Sequence, residues 1–278
     1  MSQHGISGVT VSRIDGETQS SQQDIVAVEE PLEIRIGYGS DTRDQKSIAV
    51  TMRTPGHDFE LALGFLFSEG IIDHLSDVEN VHYCEDVGKQ DEKENVVRVE
   101  LARHIIPDFE KLERNFYMTS SCGVCGKSSI EAIEVSCEKI NESSITDRQV
   151  IFGLIDEMEK KQHLFGATGG IHASGLFNLK GNLMLVREDI GRHNALDKII
   201  GARFLKKDIP IISSLLVLSG RAGFELVQKS IRAQIPILVS VGAPSSLSVE
   251  LAQEFNLTLI GFLKGKKLNI YSGKERIK

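Results

Sequence analysis

Between residues 24 and 53 apolar side chains recur at every second position in three short runs, 25–28, 32–36 and 47–53. Pro31 and the turn-rich Gly37-Tyr38-Gly39-Ser40-Asp41 interrupt them, and this period of two predicts paired strands. After Thr54-Pro55 the period lengthens. Asp58 stands where a helix cap belongs, Phe59, Ala62, Leu63, Leu66 and Phe67 share one helical face, and Gly70 is the stop. Strands resume at 78–84 and 96–101 across a charged loop, and a short helix is expected at 108–115. Thr146 is placed to cap an amphipathic helix running to about Lys161, with Val150, Leu154, Ile155 and Met158 on one face. Beyond it come hairpin strands at 176–179 and 183–187 across Lys180-Gly181-Asn182, then a helix at 193–204. Strands at 211–218, 237–241 and 257–262 alternate with helices at 224–233 and 245–255.

Near-continuous apolar strands need cover on both faces, so the second part is expected to be α/β, a mixed sheet between helices. The first part is expected to be a smaller α+β domain. Residues 1–23 are polar and rich in serine and glutamine, with only 9–14 alternating, and are read as a mostly disordered segment. The expected organisation is therefore 1–23 disordered, 24–118 α+β, 119–145 a connection carrying a thiol loop, and 146–278 α/β.

Composition sharpens this picture. A chain of 278 residues with 41% hydrophobic residues, no long apolar run and no charged-then-apolar leader reads as a soluble cytoplasmic protein of two domains, without signal peptide or membrane span. Four cysteines in such a length are too few for a disulfide framework, and a reducing compartment would keep Cys122 and Cys125 as thiols. Cys84 and Cys137 read as space-filling. A net charge of −7 argues against general nucleic-acid binding, yet the end of the chain carries Lys264, Lys266, Lys267, Lys274, Arg276 and Lys278 against Glu275.

The chemistry concentrates in Thr119-Ser120-Ser121-Cys122-Gly123-Val124-Cys125-Gly126-Lys127. Two thiols three positions apart can form a disulfide, hand on a sulfur atom or share a soft metal, and the glycines let the backbone turn tightly around them. Ser120, Ser121, Lys127 and a helix start near 128–129 would favour the thiolate. A structural zinc half-site or a small buried turn is the plain alternative, although no second Cys-x-x-Cys pair exists to complete a zinc site. Three further stretches carry polar clusters. Thr168-Gly169-Gly170-Ile171-His172-Ala173-Ser174 can bring backbone N–H groups to an anion or a reacting centre. In Arg187-Glu188-Asp189-Ile190-Gly191-Arg192-His193-Asn194 the last three residues can address phosphate or base. Alternatively, its acids cap the helix and pair with the arginines. Ser219-Gly220-Arg221 can hold phosphate or form an ordinary strand-to-helix turn.

Taken together and in order, these stretches resemble the formate dehydrogenase accessory sulfurtransferase family, FdhD, from about Ile25 onward. The resemblance rests on Glu29-Glu30-Pro31-Leu32, Thr54-Pro55, Gly64-Phe65-Leu66-Phe67-Ser68-Glu69-Gly70-Ile71-Ile72, the loop from Cys122 to Gly126, the run from Thr168 to Ala173, Glu188 through Ala195, Ser219-Gly220-Arg221 and Pro244-Ser245-Ser246-Leu247. It implies a sulfurtransferase that takes persulfide sulfur from a cysteine desulfurase. The sulfur goes to the molybdenum of a bis(molybdopterin guanine dinucleotide) cofactor for the formate dehydrogenase catalytic subunit.

It also implies a cytidine-deaminase-like second domain, a homodimer and no catalytic metal of the protein's own. Cys122 would carry the persulfide with Cys125 as partner thiol, and Phe262-Leu263-Lys264-Gly265-Lys266-Lys267 matches the family's cofactor-binding segment. The lysines there can neutralise diphosphate charge, Gly265 lets backbone approach, and Phe262 can pack on the guanine or pterin face.

Zinc-dependent deamination competes with this reading, but His172-Ala173-Ser174 lacks the proton-moving Glu of that chemistry. Ser121 stands where Pro precedes the cysteines, and the cysteines come before the histidine. Thioredoxin-like exchange lacks a preceding βαβ pattern, and a chaperone that only carries the cofactor remains a further alternative. Ser174, Gly223 and Lys264 depart from the alanine, serine and arginine usual in the family.

Overall fold

The computed structural model describes residues 5–84, 94–109 and 137–278. Its first element corrects the sequence reading: β1 (Ile6–Asp15) and β2 (Thr18–Ala27) form an antiparallel hairpin where disorder was expected. Apolar alternation is weak there because both faces of the ribbon are largely exposed. The pairing is instead supported by polar cross-strand contacts, Gln19 to Ser12 and Gln23 to Thr10 at 2.8 and 2.9 Å. Gly16, at φ 60°, makes the turn. A lone hairpin is marginal in water, and this one is anchored at its base by the Val28 N–H to Gly5 carbonyl bond.

The alternating runs that follow form β3 (Glu30–Tyr38), β4 (Asp44–Arg53), β5 (Val78–Tyr83) and β6 (Val96–Leu101), in the order β4-β3-β6-β5 with β3 and β6 parallel. One face of the sheet, with Leu32, Ile34, Ile36, Val97 and Val99, is buried with Leu61, Leu63, Leu66 and Phe67 of α1 (Asp58–Ser68). Gly70 ends that helix at φ 75°, and the Ile71 N–H reaches back to the Leu66 carbonyl at 2.9 Å. Asp58, however, does not cap α1. Its carboxylate faces the buried Arg53 guanidinium at 3.2 and 3.1 Å and accepts the Tyr83 hydroxyl at 3.1 Å. A buried arginine without a carboxylate costs more than an unfilled cap, and that difference decides where Asp58 points.

The single helix expected after Thr146 is also corrected. Gly153 divides it into α2 (Arg148–Phe152) and α3 (Leu154–Glu159), followed by α4 (His163–Thr168). Asp147 caps α2 by accepting from the Gln149 N–H, while Thr146 gives its hydroxyl to the Leu179 carbonyl.

The second sheet contains β7 (His172–Asn178), β8 (Leu183–Asp189), β9 (Ser214–Leu218), β10 (Ile237–Ser240), β11 (Thr258–Lys264) and β12 (Lys267–Ser272), in the order β12-β11-β10-β9-β7-β8. β9, β10 and β11 are parallel and β7 runs against β8 and β9, which is the mixed sheet expected. Leu215 and Val217 belong to a cluster with Ile151, Leu154 and Met158 of α2 and α3. Leu216 and Leu218 turn the other way, toward α5 (Arg192–Leu205), α6 (Phe224–Arg232) and α7 (Ser246–Glu254). β12 escaped the sequence reading because its lysine and asparagine suit an exposed edge rather than a buried strand.

The cluster over α5 to α7 is continuous with the core of the first sheet. The contact is made by α1 crossing α5 through two glycines. A Cβ added to Gly64 would lie 1.9 Å from the Asp197 carbonyl oxygen, and one on Gly201 would lie 1.8 Å from that of Glu60. Glycine inside a helix costs about 1 kcal/mol relative to alanine, and here the close approach of the two backbones requires it. No described helix is long and apolar enough to cross a membrane.

Candidate functional site

Two regions flank α5, a buried joint that holds the protein together and a sheet edge that carries exposed polar residues. The first is a buried joint. Asp189, at the end of β8, meets the Lys198 ammonium at 2.7 Å with both side chains out of water, and Lys198 also donates to the Thr54 carbonyl at 2.9 Å. Thr54 returns the contact through its N–H to Asp189 at 3.2 Å, and its hydroxyl accepts from Ile190. Asp189 further receives the Gly191 N–H and the Asn194 amide, which also reaches the Met52 carbonyl. Next to Lys198 on α5, Asp197 holds Lys229 at 2.6 Å and accepts the Ser68 hydroxyl. Glu188 accepts the Leu164 and Phe165 N–H groups at the start of α4. The acids of this stretch therefore anchor backbone and lysines, whereas pairing with its arginines was one of the expectations. Arg187 instead pairs with Glu60 across the joint, at 2.6 Å.

The second region is the sheet edge where β9, β10 and β11 end and β7 begins. The Ser219 hydroxyl oxygen accepts the Ala173 N–H at 2.9 Å and lies 3.4 Å from Nδ1 of His172. Gly220 faces the His172 ring, and the Gly242 N–H donates to the Gly220 carbonyl at 3.0 Å. A Cβ on Gly242 would lie 2.8 Å from Cγ of Arg221, so only glycine lets the two loops touch. The Phe262 N–H completes the row by donating to the Gly242 carbonyl at 3.2 Å. Burial and the nearby Arg192 hold His172 below its ordinary range, with Asp189 opposing them. Nε2 of His193 lies 3.1 Å from the Glu225 carboxylate, and burial, Lys229 and Arg192 push its imidazole down to about 3.

This depression has a measurable consequence for stability. Because the folded value lies below the ordinary 6.5, the unfolded chain takes up a proton that the folded chain refuses as pH falls from 6.5 toward 3, and stability is lost across that window. His193→Gln is expected to reduce the pH dependence of the urea midpoint between pH 6.5 and 4.5. That range lies above the window of Glu60, which Arg187 and His57 hold at about 2 against the upward push of burial. An unchanged slope would show that His193 is not the group responsible.

The predicted residues are placed unequally. Cys122 and Cys125 lie outside the described residues, as does most of the helix expected at 108–115. Phe262 through Lys267 are described: Gly265 and Lys266 form the turn between β11 and β12, and Lys264 pairs with Lys267. Phe262 is 49% exposed, Lys264, Lys266 and Lys267 face solvent, and Leu263 is buried with Ile260 and Leu215. The edge thus brings His172, Ser219, Gly220, Arg221 and Phe262 together. Sequence reasoning gave no role to Gly242 or Glu225, and a strand followed directly by Gly242-Ala243-Pro244 was the available signal. Among the described residues no group of His, Cys, Asp and Glu could hold a metal.

Residues 27–278 match the model of the FdhD/NarQ family. The chain belongs to that family. Three relatives, each called sulfur carrier protein FdhD, illustrate the match. The one from Streptomyces coelicolor is 44% identical over 272 residues, covering 96% of this chain and 94% of the relative. That from Mycobacterium tuberculosis is 42% identical, covering 96% of each. The archaeal relative from Sulfurisphaera tokodaii is also 42% identical, covering 97% of this chain and 98% of its own. A crystal structure from Desulfotalea psychrophila, provisionally described as a formate dehydrogenase accessory protein, superposes with a TM-score of 0.74 at 25% identity. It covers 99% of this chain and 100% of its own. The FdhD/NarQ assignment and the sheet order together bear out the expected cytidine-deaminase-like α/β architecture.

Proposed function

We propose that the protein is a sulfurtransferase that accepts persulfide sulfur from a cysteine desulfurase in the cytoplasm. It passes that sulfur to the molybdenum of a bis(molybdopterin guanine dinucleotide) cofactor required by formate dehydrogenase. The observation that carries this reading is the family match over residues 27–278, joined to the name sulfur carrier borne by the relatives. The Cys122-Gly123-Val124-Cys125 spacing supplies the chemistry. The Cys122 thiolate attacks the outer sulfur of the donor's persulfide, the donor cysteine leaves as thiolate, and Cys122 becomes the persulfide. Attack by the Cys125 thiolate on the Cys122 sulfur then releases the outer sulfur as sulfide and leaves a Cys122–Cys125 disulfide for a cellular dithiol to reduce.

The guanine nucleotide part of this substrate is assigned to the β11–β12 turn. Phe262 offers a half-exposed ring, Lys264, Lys266 and Lys267 offer charge, and Gly265 gives close access to backbone. Leu263 contributes through its main chain, its side chain being buried. The functional unit is read as a homodimer.

The test is maturation in vitro. Formate dehydrogenase purified from cells lacking an FdhD protein should gain activity when this chain, a desulfurase and cysteine are supplied together, and not when the desulfurase is omitted. Equal activation without the desulfurase would replace sulfur transfer by simple carriage of the cofactor.

A further inference from the structure

The strand β1 has one bonded edge and, among the described residues, one free edge. Its hairpin is a sheet of two strands in unbroken register, and the neighbouring helix α4 packs against β2. The two-residue turn Gly16-Glu17 lies between Asp15 and Thr18, and such a turn closes on a pair that exchanges both backbone hydrogen bonds. Every second pair does the same down to the base, where the Val28 N–H meets the Gly5 carbonyl. Odd-numbered residues of β1 are therefore bonded to β2, and the N–H and C=O groups of Ile6, Gly8, Thr10, Ser12 and Ile14 point away from it. A ten-residue edge with no proline and no bulge lacks the devices by which proteins block edge pairing. Ile14, 72% exposed, lies along it.

The sequence of β1 reads alike from either end. Around Thr10, Val9 mirrors Val11, Gly8 mirrors Ser12, Ser7 mirrors Arg13 and Ile6 mirrors Ile14. Two copies laid antiparallel with Thr10 on the two-fold axis set Ile6, Val9, Val11 and Ile14 each against an apolar residue of the other copy, and no charge against a like charge. The backbone agrees with this register. Even-numbered residues meet even-numbered residues, so the outward groups at Thr10, at Gly8 with Ser12 and at Ile6 with Ile14 can exchange both bonds. Moving the axis to Gly8 or Ser12 keeps that bonding but sets Val9 against Ser7 or Asp15. β2 has no such symmetry, its apolar residues being confined to Ile25, Val26 and Ala27.

We propose that β1 pairs with β1 of a second copy of this chain about Thr10, joining two hairpins into one four-stranded antiparallel sheet. The pairing covers the free edge of a ribbon that is marginal alone, and because both copies use the same edge it closes at two. The hairpin lies almost wholly ahead of residue 27, where the family match begins. The inference rests on the homodimer proposed above and names its surface; a dimer built elsewhere would leave that reading intact and end this one.

Sedimentation equilibrium of the full chain tests it, with wild type expected to be a reversible dimer. Thr10→Pro removes an N–H that faces away from β2, so the hairpin keeps its own bonds while both symmetry-related bonds at the axis are lost. Its dimer dissociation constant should rise at least about tenfold. Thr10→Cys brings two thiols together across the axis at a Cα separation of about 5.5 Å, within the span of a disulfide, and mild oxidation should give a covalent dimer well above the wild-type background. Ser21→Cys, on β2, should stay at that background. The pairing is overturned if wild type is monomeric, if Thr10→Pro leaves the dissociation constant unchanged, or if Thr10→Cys cross-links no more than Ser21→Cys.

Discussion

Cys122→Ala is expected to abolish persulfide formation and, with it, activation of formate dehydrogenase. The thiolate is the attacking form and no other described or predicted group in this chain offers a sulfur in the same loop except Cys125. Cys125→Ala should behave differently. It keeps the acceptor thiol and so should still load sulfur, while delivery slows because no neighbouring thiolate displaces the sulfide. Mass spectrometry after incubation with a desulfurase and cysteine, followed by the activation assay, separates the two. Normal persulfide on the Cys122→Ala protein together with normal client activation would reverse the assignment.

The largest effect on stability is expected at the joint beside α5. Asp189→Ala leaves the Lys198 ammonium buried without a carboxylate and removes the acceptor for Thr54, Gly191 and Asn194. Removing one partner of such a buried pair costs about 3–5 kcal/mol. Replacing both charges, as in Asp189→Leu with Lys198→Met, should lose less than Asp189→Ala alone, because no bare charge remains in the core. Urea unfolding of the three proteins would measure this. A loss below about 1 kcal/mol for Asp189→Ala would mean that the pair contributes little beyond packing.

The parts of the fold that were legible in the sequence are those where one face decides everything. The runs in β3 and β9 and the stripe of α1 alternate or repeat because one or both faces are dry, and the pattern follows from that. β12 was missed, and β1 and β2 were legible only at 9–14 and 25–28, because strands exposed on their faces carry little such pattern. Asp58 and Thr146 were misassigned for another reason: each stands where a cap belongs, but a competing partner, the buried Arg53 guanidinium for Asp58 or the Leu179 carbonyl for Thr146, takes the side chain instead. The candidate site divides in the same way. Its basic and glycine-rich loops could be named from sequence, but only the three-dimensional arrangement separates Asp189, which anchors Lys198, from Arg192 and Arg221, which anchor nothing within the described protein.

The glycine crossing of α1 and α5 makes mutational tolerance at one position depend on chemistry at another. A side chain at 64 would have to push the Asp197 carbonyl away, and Asp197 and Lys198 sit on that same turn of α5, gripping Lys229 and Asp189. A steric change in the first half of the chain is thereby converted into an electrostatic one in the second. The helix that would shift is the one that begins with Arg192, beside the sheet edge, so a side chain at residue 64 would be felt at that edge although no atom of Gly64 belongs to it.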